Sequence, residues 1–128
     1  MLIKNPGLHS ALIKKAITIT PQTGILDAIE VIQKYKIGRL VVIDRSGKPV
    51  GIITEKDIIK ALYPLDAKPL GSIQVGDLMS TNLITATKKD SVYKCAKIMK
   101  DNNISSVIVL HSDGTLDGIL TKTDLVFN

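Results

Sequence analysis

Gly51-Ile52-Ile53-Thr54-Glu55-Lys56-Asp57 closes an apolar run with a threonine and, three places on, an aspartate. The pattern returns as Gly118-Ile119-Leu120-Thr121-Lys122-Thr123-Asp124. Laying residues 17–61 over 84–128 requires no gap. Ile17-Thr18-x-Thr20 meets Ile84-Thr85-x-Thr87, Ile37 meets Ile104, Val42 meets Val109 and Gly47 meets Gly114. The overlay has ten identities in 45 positions, and its apolar positions agree between them: Ile25 with Val92, Ile32 with Met99, Leu40 with Val107, Ile58 with Leu125. An ungapped register with matched glycines is the mark of an internal duplication.

Each copy reads as strand, helix, strand, turn, strand, helix. Residues 17–20 alternate as a short strand closed by Pro21. Residues 23–36 set Ile25, Ala28, Ile29, Ile32 and Tyr35 on one helical face. Leu40-Val41-Val42-Ile43 is short and β-branched, as a buried strand is. Asp44-Arg45-Ser46-Gly47 is turn chemistry, matched by His111-Ser112-Asp113-Gly114, and Val50-Gly51-Ile52-Ile53 returns as a hairpin partner. The expected organisation is an N-terminal segment (1–15) completing the first repeat, a first repeat at 16–62, a Pro/Gly-rich linker at 63–76 and a second repeat at 77–128. The fold class is α/β (α+β): two β-α-β-β-α repeats packed about a pseudo-twofold axis, because one small half cannot bury both faces of its own sheet. The second copy stops barely one turn into its last helix, so the sequence reads as cut from a longer chain.

Composition narrows the function. The chain has 128 residues, 45% of them hydrophobic, enough for an ordinary core. No apolar run approaches the ~18 residues of a membrane span, and the start MLIKNPGLHS lacks a signal-peptide core. One cysteine, Cys95, forms no internal disulfide, so the expected location is cytoplasmic. The net charge of +5 admits anionic partners, but with no tryptophan and one phenylalanine there is little stacking surface for nucleic acid.

The repeated Thr-x-x-Asp has two physical uses. Thr54 and Asp57, like Thr121 and Asp124, fit a capping box that starts a helix. The same geometry suits a nucleotide: amides and a hydroxyl at a helix start hold phosphate, and a carboxylate accepts both hydroxyls of a ribose. Neither aspartate has a partner for acid–base work, so no enzyme activity is expected and nucleotide binding proceeds without catalysis.

The ITITP opening, the segment Ile37-Gly38-Arg39-Leu40-Val41-Val42-Ile43-Asp44 and the G-I-I-T-E-K-D ending resemble a cystathionine β-synthase (CBS) domain. Two in tandem over about residues 8–128 resemble a CBS domain pair, or Bateman module. The resemblance implies adenosine-containing ligands (AMP, ADP, ATP or S-adenosylmethionine) bound in clefts between the copies, and regulation of an attached or associated effector. It implies ribose acceptors at Asp57 and Asp124, hydroxyl contacts from Thr54 and Thr121, and phosphate contacts at Lys56 and Thr123. Adenine contacts fall on Lys15, Ile17, Ile37 and Gly38 in one copy and on Asn82, Ile84, Ile104 and Ser105 in the other. The preferred cleft combines Asn82, Ile84, Ile104 and Ser105 with Arg39, Thr54, Lys56 and Asp57, and so has two cations for a phosphate. The second cleft, with Lys15, Ile17, Ile37, Gly38, Thr121, Thr123 and Asp124, has fewer fixed charges because Ser106 and Thr123 replace Arg39 and Lys56. The family's usual second-strand proline is absent; Val41 and Ile108 stand there, leaving each strand free to donate a ladder hydrogen bond.

His9 and His111 lack a second metal ligand nearby in sequence, Cys95 overlies Ala28 as a small core residue, and Met79 and Met99 read as core. Ser46, Ser91 and Ser112 have no His–Asp set to activate them. The functional reading is an adenine-nucleotide sensor that forms a homodimer. The alternatives are a structural dimerisation module without ligand and a regulatory fragment of a larger enzyme or transporter.

Overall fold

Apolar runs broken at fixed intervals by turn residues give two matched units. A computed structural model of the chain describes residues 12–63 and 69–127. One unit is Ile17–Leu83; the other is Ile84 onward together with the N-terminal segment through Ala16. The first carries β1 (Thr18–Ile19), α1 (Ile25–Tyr35), β2 (Arg39–Ile43), β3 (Pro49–Thr54) and α2 (Glu55–Leu62), then a 3-10 turn at Leu70–Ser72 and α3 (Val75–Leu78). The second carries β4 (Thr85–Thr87), α4 (Val92–Asn102), β5 (Ser106–Leu110), β6 (Leu116–Thr121) and α5 (Lys122–Phe127). Both repeats therefore have the expected element order.

Each sheet has three strands, in order β1-β2-β3 and β4-β5-β6, the first pair parallel and the second antiparallel. The middle strands are fully buried at Leu40, Val41 and Val42 and at Val107, Ile108 and Val109, which explains their unbroken apolar runs. Val41 N donates to Ile17 O at 3.2 Å, the ladder bond that a proline would have forbidden. The hairpins turn on Gly47 (φ 83) and Gly114 (φ 88), a left-handed backbone that a side chain resists; this is why the overlay matches those glycines.

In α1, Ile25 and Ala28 are buried and Ile29 and Ile32 pack against the same core. Burying an isoleucine such as Ile25 stabilises by about 1.5–3 kcal/mol. Tyr35 departs from expectation. It is 50% exposed in the helix's last turn, just before Lys36 turns left-handed at φ 52, and Lys34 Nζ lies 5.4 Å from its ring. Asn103 ends α4 in the same conformation.

The segments flanking the repeats behave differently from the sequence expectation. From Pro69 onward the supposed linker is structural: Ile73 and Val75 are buried, Ile25 N donates to Ile73 O at 2.9 Å, and Val75 N donates to Thr23 O at 2.8 Å. The segment then pairs with β3, Ser80 and Ile52 exchanging both backbone bonds at 2.8 and 3.0 Å. Lys14 and Ile119 do the same on β6, both at 2.9 Å. The described end of the N-terminal segment thus completes the sheet of the second repeat, where the first repeat was expected. Each leader lies on the sheet of the repeat to which it does not lead.

The exchanged leaders explain the glycine that opens the repeated motif. A Cβ at Gly118 would stand 2.5 Å from Lys14 O and 2.6 Å from Ile13 Cγ2. One at Gly51 would collide with Met79 Sδ and come within 3.1 Å of Ser80 O. Only a residue without a side chain lets the leader approach.

Candidate functional site

Within the Ile17–Leu83 unit, the start of β2 and the start of α2 are tied together. Glu55 N donates to Gly38 O at 3.2 Å, and Arg39 pairs in register with Thr54. The helix opens with a complete capping box: Asp57 N donates to Thr54 Oγ1 at 3.4 Å, while Asp57 Oδ2 accepts from Thr54 N at 2.9 Å and Thr54 Oγ1 at 3.1 Å. Both hydrogen bonds that this carboxylate accepts among the described residues use Oδ2. Its other oxygen, Oδ1, takes no hydrogen bond or ion pair among the described residues, and the side chain is half-buried. The structure therefore brings Gly38, Arg39, Thr54, Lys56 and Asp57 to one end of this unit. Lys56 and Asn82 are exposed; Ile17, Ile37, Gly38 and Arg39 are half-buried.

The other unit repeats the tie: Lys122 N donates to Ser105 O at 2.8 Å, and Ser106 pairs with Thr121. Thr121 Oγ1 donates to Asp124 Oδ2 at 2.6 Å, and Asp124 N donates to Thr121 Oγ1 at 3.2 Å. Here the second oxygen is also taken. Lys14 Nζ lies 2.8 Å from Asp124 Oδ1, and Asp124 is only 4% exposed. Burial pushes this carboxyl up, but the bonds from Lys14 and Thr121 outweigh it and hold it below the ordinary aspartate value. Of the remaining candidates in this unit, Lys15, Ser105 and Thr123 are exposed and Ile84 and Ile104 half-buried.

Sequence reasoning missed three charges. Glu55 and Lys122 stand at the same place in the overlay, immediately after the threonine, so the contrast of Arg39 and Lys56 with Ser106 and Thr123 was incomplete. Glu55 bends toward Gly38, its Oε1 lying 3.3 Å from where a Cβ on that glycine would be. These two were readable from the overlay. Lys14 was not, because nothing in the sequence announces that its leader joins the opposite sheet.

The residues set aside stay outside this site. Cys95 and Met99 are buried, and burial, with a smaller contribution from Asp90, pushes the Cys95 thiol up. His111 N closes its turn on Thr115 O at 2.8 Å. Its Nδ1 is 3.8 Å from Asp117 Oδ2, which lies 3.4 Å from Lys88 Nζ yet receives no hydrogen bond among the described residues. His9 lies outside the described residues. Among those described, no group of three His, Cys, Asp or Glu could hold a metal, and no helix is long and apolar enough to cross a membrane.

A family model for the CBS domain matches residues 10–64 and 75–128. The chain belongs to the CBS domain family. Each matched CBS segment starts with its own leader, so the exchange of leaders is an exchange between two CBS repeats. Protein MJ1426 of Methanocaldococcus jannaschii is 30% identical, the alignment covering 98% of this chain and 89% of that one. Inosine-5′-monophosphate dehydrogenase of Aquifex aeolicus is 28% identical over 92% of this chain, which spans just 23% of that enzyme. The crystal structure of the CBS domain pair of protein MJ0100, in complex with 5′-methylthioadenosine and S-adenosyl-L-methionine, is similar with a TM-score of 0.79 at 32% identity, covering 91% of this chain and 90% of that one.

Proposed function

We propose that this CBS pair is a regulatory module that binds an adenosine-containing ligand, with Asp57 accepting the ribose hydroxyls. The observation that carries the reading is the difference between the two oxygens of Asp57. Oδ2 completes the helix cap, while Oδ1 has no partner among the described residues and sits at the end of the unit that holds Arg39 and Lys56. A helix that only needed starting is served by one oxygen. The adenosyl ligands bound by the similar CBS pair of MJ0100 support the ligand class.

In this reading Thr54 and Lys56 face the phosphate with Arg39, and the preferred ligand is AMP or a related adenine nucleotide. We assign adenine contacts to Asn82, Ile84, Ile104 and Ser105 from the family resemblance. The module performs no catalysis; it acts in the cytoplasm as a homodimer whose occupancy is read by an effector protein. The small share of the dehydrogenase that aligns favours an effector that can be part of the same polypeptide. A thermal-shift titration with AMP, ATP, S-adenosylmethionine and adenosine tests the class. A ligand at 100 times its dissociation constant adds ~2.7 kcal/mol to stability, and no shift with any of them would sink the reading.

A second reading, association without ligand, has one observation behind it. Helix α2 and the residue after it expose Ile59 (61%), Leu62 (43%) and Tyr63 (85%). Sedimentation of the ligand-free chain separates the two: a dimer that ignores every adenosine compound favours this one.

A further inference from the structure

Lys14 has the least expected partner of the charged side chains near the repeated motifs. Its backbone pairs with Ile119, placing the side chain beside the last helix of the other repeat, and its ammonium meets Asp124 Oδ1. With Thr121 on Oδ2, both oxygens of Asp124 are engaged from within the unit. The corresponding leader residue on the first repeat's sheet is Ser80, which exchanges the same two backbone bonds with Ile52. Ser80 is exposed and makes no side-chain bond to Asp57 among the described residues. Among the described residues the duplication thus has one aspartate with an oxygen to spare and one without.

We infer that Lys14 is the residue that makes the two repeats unequal, closing Asp124 to a vicinal diol and reserving ribose recognition for Asp57. This rests on the nucleotide reading above. A ribose approaching Asp124 must displace a charge-assisted bond before it can make its own, whereas Asp57 Oδ1 has no hydrogen bond or ion pair to give up among the described residues. The 4% exposure of Asp124 works in the same direction, since the carboxylate has little unclaimed surface. The lowered Asp124 carboxyl agrees: the folded protein already satisfies its charged form. Lys14 itself is 62% exposed on its side chain, so its removal exposes no cavity and leaves the Lys14–Ile119 backbone bonds in place.

The test is an amide NMR titration of the full chain with AMP, comparing the parent with Lys14→Ser, which copies Ser80, and with Lys14→Met, which keeps the apolar stem if the serine variant is poorly folded. In the parent, the amides of Thr54–Asp57 are expected to shift and those of Thr121–Asp124 to stay. In either variant both sets should shift, the second at AMP concentrations about tenfold or more below the highest at which it stays silent in the parent, the worth of one charged hydrogen bond. Lys14→Arg, which keeps the ion pair, should behave as the parent. The inference is overturned if Thr121–Asp124 respond equally in parent and variants, which would make Lys14 irrelevant. It is also overturned if they respond in the parent and fall silent without Lys14, which would make the lysine a ligand contact. Silence at Thr54–Asp57 in every protein would instead remove the nucleotide reading, and this inference with it.

Discussion

Replacing Asp57 by alanine separates the helix cap from the proposed ribose acceptor, because the two roles are assigned to different oxygens. Through Oδ2 the substitution removes two hydrogen bonds, from Thr54 N at 2.9 Å and Thr54 Oγ1 at 3.1 Å, but keeps the Asp57 N bond to the threonine hydroxyl. That is half a capping box on a half-buried residue, so the expected loss of stability is about 1 kcal/mol, or roughly 4 °C in melting temperature for a chain of this size. Through Oδ1 it removes the acceptor proposed for the ligand. A hydrogen bond to a charged group contributes about 1.5–3 kcal/mol, so AMP affinity should fall by roughly 10- to 150-fold. The assay is calorimetry with AMP well below the melting transition, with circular dichroism melts of the ligand-free proteins. Asp124→Ala is the contrast. It should be the more destabilising of the two, because it removes a buried carboxylate bonded to both a lysine and a threonine, yet it should leave AMP affinity within about threefold of the parent. A melting loss in Asp57→Ala with affinity unchanged would reduce the motif to helix starting. A loss of AMP binding confined to Asp124→Ala would put ribose recognition on the second repeat.

Asp124 also sets a pH dependence. Its folded value lies below the unfolded ~3.9, so its stabilisation is complete above that value and drains away as pH falls through the lowered one; the melting gap between the parent and Asp124→Asn should therefore shrink from pH 7 to about pH 2.5, and a constant gap would contradict the ion pair. Gly118→Ala should cost more than Gly51→Ala, roughly 3 against 1 kcal/mol by urea denaturation, because the first meets backbone at 2.5 Å and the second mainly a flexible methionine; equal costs would mean that the leaders yield alike. Raising the salt concentration should weaken AMP more than adenosine, since Arg39 and Lys56 are assigned to the phosphate; equal salt dependence by calorimetry would remove them from the site.

The repeat made most of the fold readable. Ungapped matches placed every strand and helix of the two cores, and Gly47 and Gly114 pointed to turns that the backbone requires at φ 83 and 88. What escaped was the fate of the leaders. Residues 63–76 looked like a connector because Pro64, Pro69, Gly71 and Gly76 dominate the local pattern, while the buried Ile73 and Val75 are too few to form a periodic signal. Pairing of Ser80 with Ile52 and Lys14 with Ile119 is long-range, and no local propensity encodes it. Tyr35 was misplaced for a related reason: periodicity continues to the helix end, but the core it faces does not.

The two repeats also differ at one position beside the glycine of the motif. Where the first repeat has Val50 in β3, the second has Asp117 in β6, a carboxylate whose Oδ2 is buried and accepts no hydrogen bond among the described residues. Lys88 at 3.4 Å and His111 at 3.8 Å supply charge but little directed bonding, and both are about half exposed, where an ion pair contributes only ~0–1 kcal/mol. Leaving a buried acceptor unsatisfied costs about 1–3 kcal/mol, so the penalty exceeds the attraction. Asp117→Val, which copies Val50, should therefore stabilise the chain by about 1 kcal/mol in urea denaturation and leave AMP binding unchanged, since Asp117 lies outside the Thr-x-x-Asp motif. Destabilisation by that amount would show that the Lys88 and His111 pair holds β6 in place, and that the second repeat departed from the first here for stability.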